Sequence, residues 1–182
     1  MDDKSGSNVW VYISDDGICE IKLVGQIKYG TTAKGFSEFV STKVAEEKVK
    51  DVIVDLRECE FIDSTNIGTL AKIATIQHGK GAKKPTLVYC EDSKIAAALN
   101  DVYVKQLYNV SVNKEFGCHD YKDVGNAQTT QLELTKIMYE GHKLLCDLNS
   151  KNKEKFESVV KYLGESVANM ERKTNRIPII TN

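Results

Sequence analysis

Asp63-Ser64-Thr65-Asn66 is the stretch whose residue types and spacing most directly offer chemistry. A β-branched run, Asp51-Val52-Ile53-Val54-Asp55-Leu56, precedes it and predicts a short buried strand. Ile67, Leu70, Ala71 and Ala74 follow at helical spacing. They predict a helix from near Ser64 to His78-Gly79, stopped by Gly81 and Pro85. Phe61-Ile62, between strand and helix, is expected to pack inward. Ser64 then lies at or next to a helix N-cap beyond the carboxyl end of a strand, where sites of open α/β sheets gather. A hydroxyl there can accept a backbone N–H and is expected to be exposed, since no preceding turn covers it. A phosphate on it would meet orphan N–H groups and the positive end of the helix dipole. It would add about two negative charges beside Asp63 while sparing the fold. Such a change suits a switch on a partner surface. Plain capping uses the same residue types, so the residues alone leave both roles open.

The surrounding elements follow from periodicity. Val9 to Ile13, the turn Asp15-Asp16-Gly17 and the alternating Cys19, Ile21 and Leu23 predict a β-hairpin. Residues 31–49 read as a helix capped by Thr31 or Thr32, with Phe36, Phe39, Val40 and Val44 on its apolar face. Thr86 to Cys90 predicts a strand, Ser93 to Leu99 a short helix, and residues 107–112 lead into a last short strand. The order β-β-α-β-α-β-α-β predicts an α/β fold, a mixed sheet with helices packed on it and an antiparallel hairpin at its start.

Beyond residue 125 the period becomes helical throughout. Leu134, Ile137, Met138, Leu145 and Leu148 form one stripe, and Phe156, Val159, Val160, Leu163, Val167 and Met170 a second. Ser150 or Asn152 is a candidate cap between them, and a helical hairpin is expected, with one long bent helix as the alternative. The domain assignment is 1–120 for the α/β unit and 121–182 for a helical C-terminal extension. The stripes serve either to pack on the sheet or to bind a partner, including a second copy in a homodimer. Ile177 to Asn182 reads as a loose tail.

Val54-Asp55-Leu56, then Phe61-Ile62-Asp63-Ser64-Thr65-Asn66-Ile67-Gly68, resembles the signature of STAS domains, in particular that of anti-sigma-factor antagonists. The family pattern is an apolar residue, Asp-Leu, four residues, Phe, an apolar residue, then Asp-Ser-(Ser/Thr)-Gly, an apolar residue and Gly. Leu23-Val24-Gly25-Gln26-Ile27 and Thr32-Ala33 resemble an earlier family element, and the likeness spans roughly residues 9–115. It implies a STAS-like fold and a non-enzymatic regulator of transcription in the cytoplasm of bacteria. It also implies an anti-sigma factor that is a serine protein kinase as partner, and partner switching by phosphorylation. Carried over by position, Ser64 is the phosphoacceptor, with Asp63, Thr65, Asn66, Gly68 and Lys28 on or under the partner face. Asn66 stands where the family has Gly, Lys28 where it has Asp, and Gln26 where it has Glu. A cation at 28 could pair with a phosphoserine. The alternatives are a STAS-like scaffold whose C-terminal helices carry binding while Ser64 is only a cap, and a ligand-sensing domain.

Composition bounds these expectations. The chain has 182 residues, 41% hydrophobic and 28% charged, which suits one ordinary folded domain, or one small domain with an appendage, rather than disorder. The net charge of −1 favours neither nucleic acid nor anionic lipid. It conceals −3 over residues 1–125 and +2 over 126–182, a small complementarity. No apolar run approaches the ~18 residues of a membrane helix, and the acidic, polar MDDKSGSN start does not read as a signal peptide. Five widely spaced cysteines without C-x-x-C read as reduced thiols, mostly core fillers. Cys118-His119-Asp120 cannot form a catalytic row from consecutive residues, and His78 and His142 stand alone. No cofactor or metal is expected. Gly79 to Lys84 lacks phosphate-loop spacing, and Lys84-Pro85 sits on the wrong side of a strand for a phospho-aspartate receiver.

Overall fold

The structure is a computed structural model, and it describes residues 6–91, 93–112 and 116–174. The expected tail at 177–182 and most of the polar start lie outside the described residues. Strands β1 (Asn8–Ile13) and β2 (Ile18–Ile27) form the expected hairpin, with Gly17 at φ +90° in the turn. β3 (Asp51–Asp55), β5 (Thr86–Val88) and β6 (Asn109–Ser111) continue the sheet in parallel. The sheet runs β6-β5-β3-β2-β1-β7, and β4 (Cys59–Ile62) pairs with the far end of β2. Strand β7 (Lys122–Asp123) is antiparallel to β1. The helices are α1 (Ala33–Phe39), α2 (Ser64–Gly79), α3 (Lys94–Asp101), α4 (Gln131–Asp147) and α5 (Ser150–Thr174). This is the predicted mixed sheet with helices and a C-terminal helical extension.

Two short strands, β4 and β7, have no counterpart in the periodicity. At β4, Ile62 is buried but Phe61 is 46% exposed, so Phe61 does not pack inward as expected. The cause is at Gly25, where φ of +74° and a register shift break the β2–β4 ladder between Gly25 and Gln26. A Cβ at Gly25 would also come within 2.8 Å of the Gly6 carbonyl oxygen.

The predicted helix at 31–49 is shorter. α1 widens into a π-helical turn over Val40–Val44, where the Ser41 and Thr42 hydroxyls bond back to the Ser37 and Glu38 carbonyls. Thr32 takes the N-cap position, yet its hydroxyl donates backward to Lys28 O rather than accepting from the helix. Lys80 closes the far end, its Nζ donating to the carbonyls of Val44, Glu46 and Val49 at 3.0, 2.9 and 2.6 Å. Of the three lysines in the Gly79–Lys84 segment, Lys80 is thus spent on structure.

The core lies under one face of the sheet. Val9 and Val11 of β1, Cys19, Ile21 and Leu23 of β2, and Val52 and Val54 of β3 meet Phe36 of α1 and Leu70 and Ile73 of α2. Of the five free cysteines, Cys19 and Cys59 are buried, while Cys90 and Cys118 are exposed, so the core-filler expectation holds for fewer than expected.

The C-terminal helices form a hairpin docked on the same chain. Only Leu148 and Asn149 separate α4 from α5. The Asn149 side chain caps α5 by accepting from Asn152 N at 3.0 Å, in place of the expected Ser150 or Asn152. Thr130 and Glu133 form a capping box at the start of α4. Leu145 and Phe156 join the main core, and buried Asn152 donates to both Val102 O and Leu145 O at 2.9 Å. Lys34–Glu133 and Lys72–Glu140 ion pairs join α1 and α2 to α4. Such exposed pairs contribute little individually, and the apolar contact and Asn152 carry the docking.

Candidate functional site

The site is built on Asp63. Its side chain, not that of Ser64, caps α2, accepting from Asn66 N at 3.0 Å through Oδ1. The same oxygen accepts from Asn66 Nδ2 at 3.0 Å, and Oδ2 accepts from Tyr29 N. Asp63 N donates to Ile27 O at 3.2 Å. Asp63 therefore ties the end of β2, through its backbone N–H, and the loop after it, through its carboxylate, to the start of α2. Asn66, one of the three departures from the pattern the sequence resembles, is the side chain that completes this tie.

Ser64 is the first residue of α2. It is half-buried rather than exposed, because α4 lies across it. His142, on α4, places Nε2 2.9 Å from Ser64 Oγ. Its Nδ1 lies 2.7 Å from Met138 O. A carbonyl oxygen only accepts, so Nδ1 carries the proton, and in the neutral form of the ring Nε2 is the nitrogen that accepts from the Ser64 hydroxyl. Phe156 of α5 holds the ring edge-on, at 5.7 Å between centroids and 69° between planes.

The pair sits on the floor of a half-open groove of about 460 Å³. Tyr29 and Asp63 form one wall, and Val159, Tyr162 and Leu163 of α5 the other. Tyr29 and Tyr162 are 47% and 69% exposed, so the groove has an aromatic rim.

The predicted site residues separate by depth. Lys28 is exposed, and its carbonyl receives the Thr31 and Thr32 N–H groups. Thr65 and Asn66 are buried. Gly68 is buried against α4, where a Cβ would meet Gly141 Cα at 2.4 Å. His142 escaped the sequence analysis, since it stands 78 positions from Ser64 and only the fold joins them. The T-x-x-E spacing of Thr130 and Glu133 was a legible sign that a helix opens there.

Other chemistry-bearing residues are spent elsewhere. His119 stacks on Tyr12 at 4.1 Å, away from a catalytic row with Cys118. Arg57 pairs with Asp55 through both guanidinium donors, at 2.9 and 2.7 Å. Among the described residues no group of three or more His, Cys, Asp or Glu could hold a metal ion. No described helix is long and apolar enough to cross a membrane. Burial pushes the Cys19 and Cys59 thiols up to about 12, which keeps them protonated.

No curated protein gives a significant match to the chain. A solved NMR structure, that of the protein TM1081, is similar at a TM-score of 0.48 and 17% identity, over 56% of this chain and 78% of that one. Residues 10–83, from β1 through α2 and including Lys28, Asp63 and Ser64, match the family model described as STAS domain.

Proposed function

We propose that this chain is a non-enzymatic regulator of the anti-sigma-factor antagonist kind, switched by phosphorylation of Ser64. Its partner is an anti-sigma factor that is also a serine kinase. The kinase transfers the γ-phosphoryl group of ATP, forming an Oγ–P bond at Ser64 as the bond to ADP breaks. The observation that supports this most is the Asp63-Ser64-Thr65 start of α2 inside the STAS segment, with the serine hydroxyl lining an open groove. Lys28 and Asp63 contribute the accessible side of the partner face, and Thr65, Asn66 and Gly68 shape it from beneath. Residues 1–120 act as the switching domain and 121–182 as a helical extension that controls it.

Incubation with the candidate kinase and ATP, followed by mass spectrometry, tests the switch. One phosphate on Ser64 is expected, with partner binding retained by Ser64→Ala and lost in Ser64→Asp. An unmodified Ser64, with binding indifferent to both substitutions, would sink it.

A second reading, an interaction module or homodimer working through α4–α5, is favoured by the exposed Val159 and Tyr162 on α5. Light scattering on the wild type and on Tyr162→Glu separates the two. A dimer that the substitution dissociates would favour the module.

A further inference from the structure

Ser64 and His142 stand to each other as a hydroxyl nucleophile and its base. Nε2 is 2.9 Å from Oγ, within reach for direct proton transfer. Nδ1 is anchored 2.7 Å from Met138 O, which selects the tautomer that leaves Nε2 free to accept. Phe156 fixes the ring plane. His142 is 7% exposed. Oγ, by contrast, lines the groove, where an electrophile can reach it from the side of Tyr29 and Tyr162.

We propose that His142 is the general base for phosphoryl transfer to Ser64, so that this chain, through its C-terminal extension, carries the base for its own modification. As Oγ attacks phosphorus, the Ser64 proton passes to His142 Nε2, the Oγ–P bond forms and the leaving group departs with the electrons of its bond. Afterwards the imidazolium faces the new phosphate. Among the described residues, the other titratable groups lining the groove are Asp63 at the α2 cap, Tyr29 beyond β2 and Tyr162 on α5. None of them is a cation, so His142 is the only lining group that can neutralise the phosphate. The partner kinase then needs to bring ATP to the groove but no base. This rests on the assignment of Ser64 as phosphoacceptor, which it deepens by naming the residue that activates it.

The test needs no kinase. Diisopropyl fluorophosphate is a phosphorus electrophile that reacts with base-activated hydroxyls, losing fluoride as the Oγ–P bond forms. The intact chain is expected to be labelled once, on Ser64, and Ser64→Ala not at all. The rate should fall as pH falls, because a protonated Nε2 donates to Oγ instead of accepting from it. His142→Gln keeps a hydrogen-bonding group but removes the basicity. It should label about 100-fold more slowly and lose the pH dependence. If that variant does not fold, the wild-type profile decides: the midpoint of labelling must coincide with the His142 titration followed by NMR. No labelling of the folded wild type, a pH profile without that midpoint, or His142→Gln labelled at the wild-type rate would each overturn the proposal. A reactive Ser64 that no kinase phosphorylates would sink the switch, while His142 would stand only as the group that activates the Ser64 hydroxyl.

Discussion

Gly68 of α2 and Gly141 of α4 meet backbone to backbone: a Cβ on Gly68 would come within 2.4 Å of Gly141 Cα, and one on Gly141 within 2.9 Å of Thr65 O. The crossing is close because neither helix has a side chain there. It brings His142, one residue on, down to Ser64. The docking of the extension and the chemistry of the serine therefore depend on one contact.

Gly68→Val should force α4 away from α2. The overpacking cost is about 1–3 kcal/mol. Amide exchange in α4 and α5 should rise, while β1–β3 stay protected. Unchanged protection of α4 would show that the crossing can relax without undocking.

Asn152 secures the hairpin turn, with Nδ2 donating to Val102 O and Leu145 O while the residue is 1% exposed. Asn152→Ala leaves two buried carbonyls without this donor and should cost about 1–3 kcal/mol. Thermal unfolding of the full chain measures it.

Glu133 gives the hairpin an acid limit. Its carboxylate accepts from the Thr130 backbone N–H, from Lys34 and from the Thr130 hydroxyl, which together hold it down at about 2, from an ordinary 4.5. A carboxyl depressed on folding stabilises fully above its unfolded value and loses that contribution as pH falls through its folded value. The α4 start should therefore loosen progressively from about pH 4.5 down to about 2. Glu133→Gln should be less stable at neutral pH and should show a shallower acid dependence over that interval. Circular dichroism of both proteins against pH reads the difference.

The cysteines should sort by burial. Cys90 and Cys118 are exposed and should be alkylated by iodoacetamide in the native protein. Cys19 and Cys59, buried with thiols pushed up to about 12, should react only after unfolding. Peptide mapping before and after denaturant checks the order. Early labelling of Cys19 would mean that the hairpin β1–β2 opens locally.

Much of the fold was legible because its main elements carry strong local signals. The β1–β2 hairpin has alternating apolar residues around Asp-Gly, and α2 has a four-residue apolar stripe behind Asp63. Helices α4 and α5 announce themselves by two stripes and a polar break. Strands β4 and β7 were not legible, since neither Cys59-Glu60-Phe61-Ile62 nor Lys122-Asp123 alternates or forms an apolar run, and their pairing depends on partners elsewhere in the chain. Phe61 illustrates the difficulty: an apolar residue beside a buried strand looks like core, and only the irregular β2–β4 ladder turns it outward.

What the sequence determined by itself is the local chemistry: a carboxylate–hydroxyl start to a helix beyond a buried strand, and a helical extension with two apolar faces. Capping, turns and amphipathic stripes act over a few residues, so they can be read from neighbours in the chain. The tertiary structure alone decided where those faces go and what meets Ser64. Leu145, Phe156 and Asn152 seat the hairpin on its own α/β unit, while Val159 and Tyr162 of the second helix stay exposed. His142 looked solitary in the sequence. The close passage of Gly141 over Gly68 makes it the hydrogen-bond partner of a serine 78 positions away. No local pattern encodes such a contact, because it follows from how two helices pack.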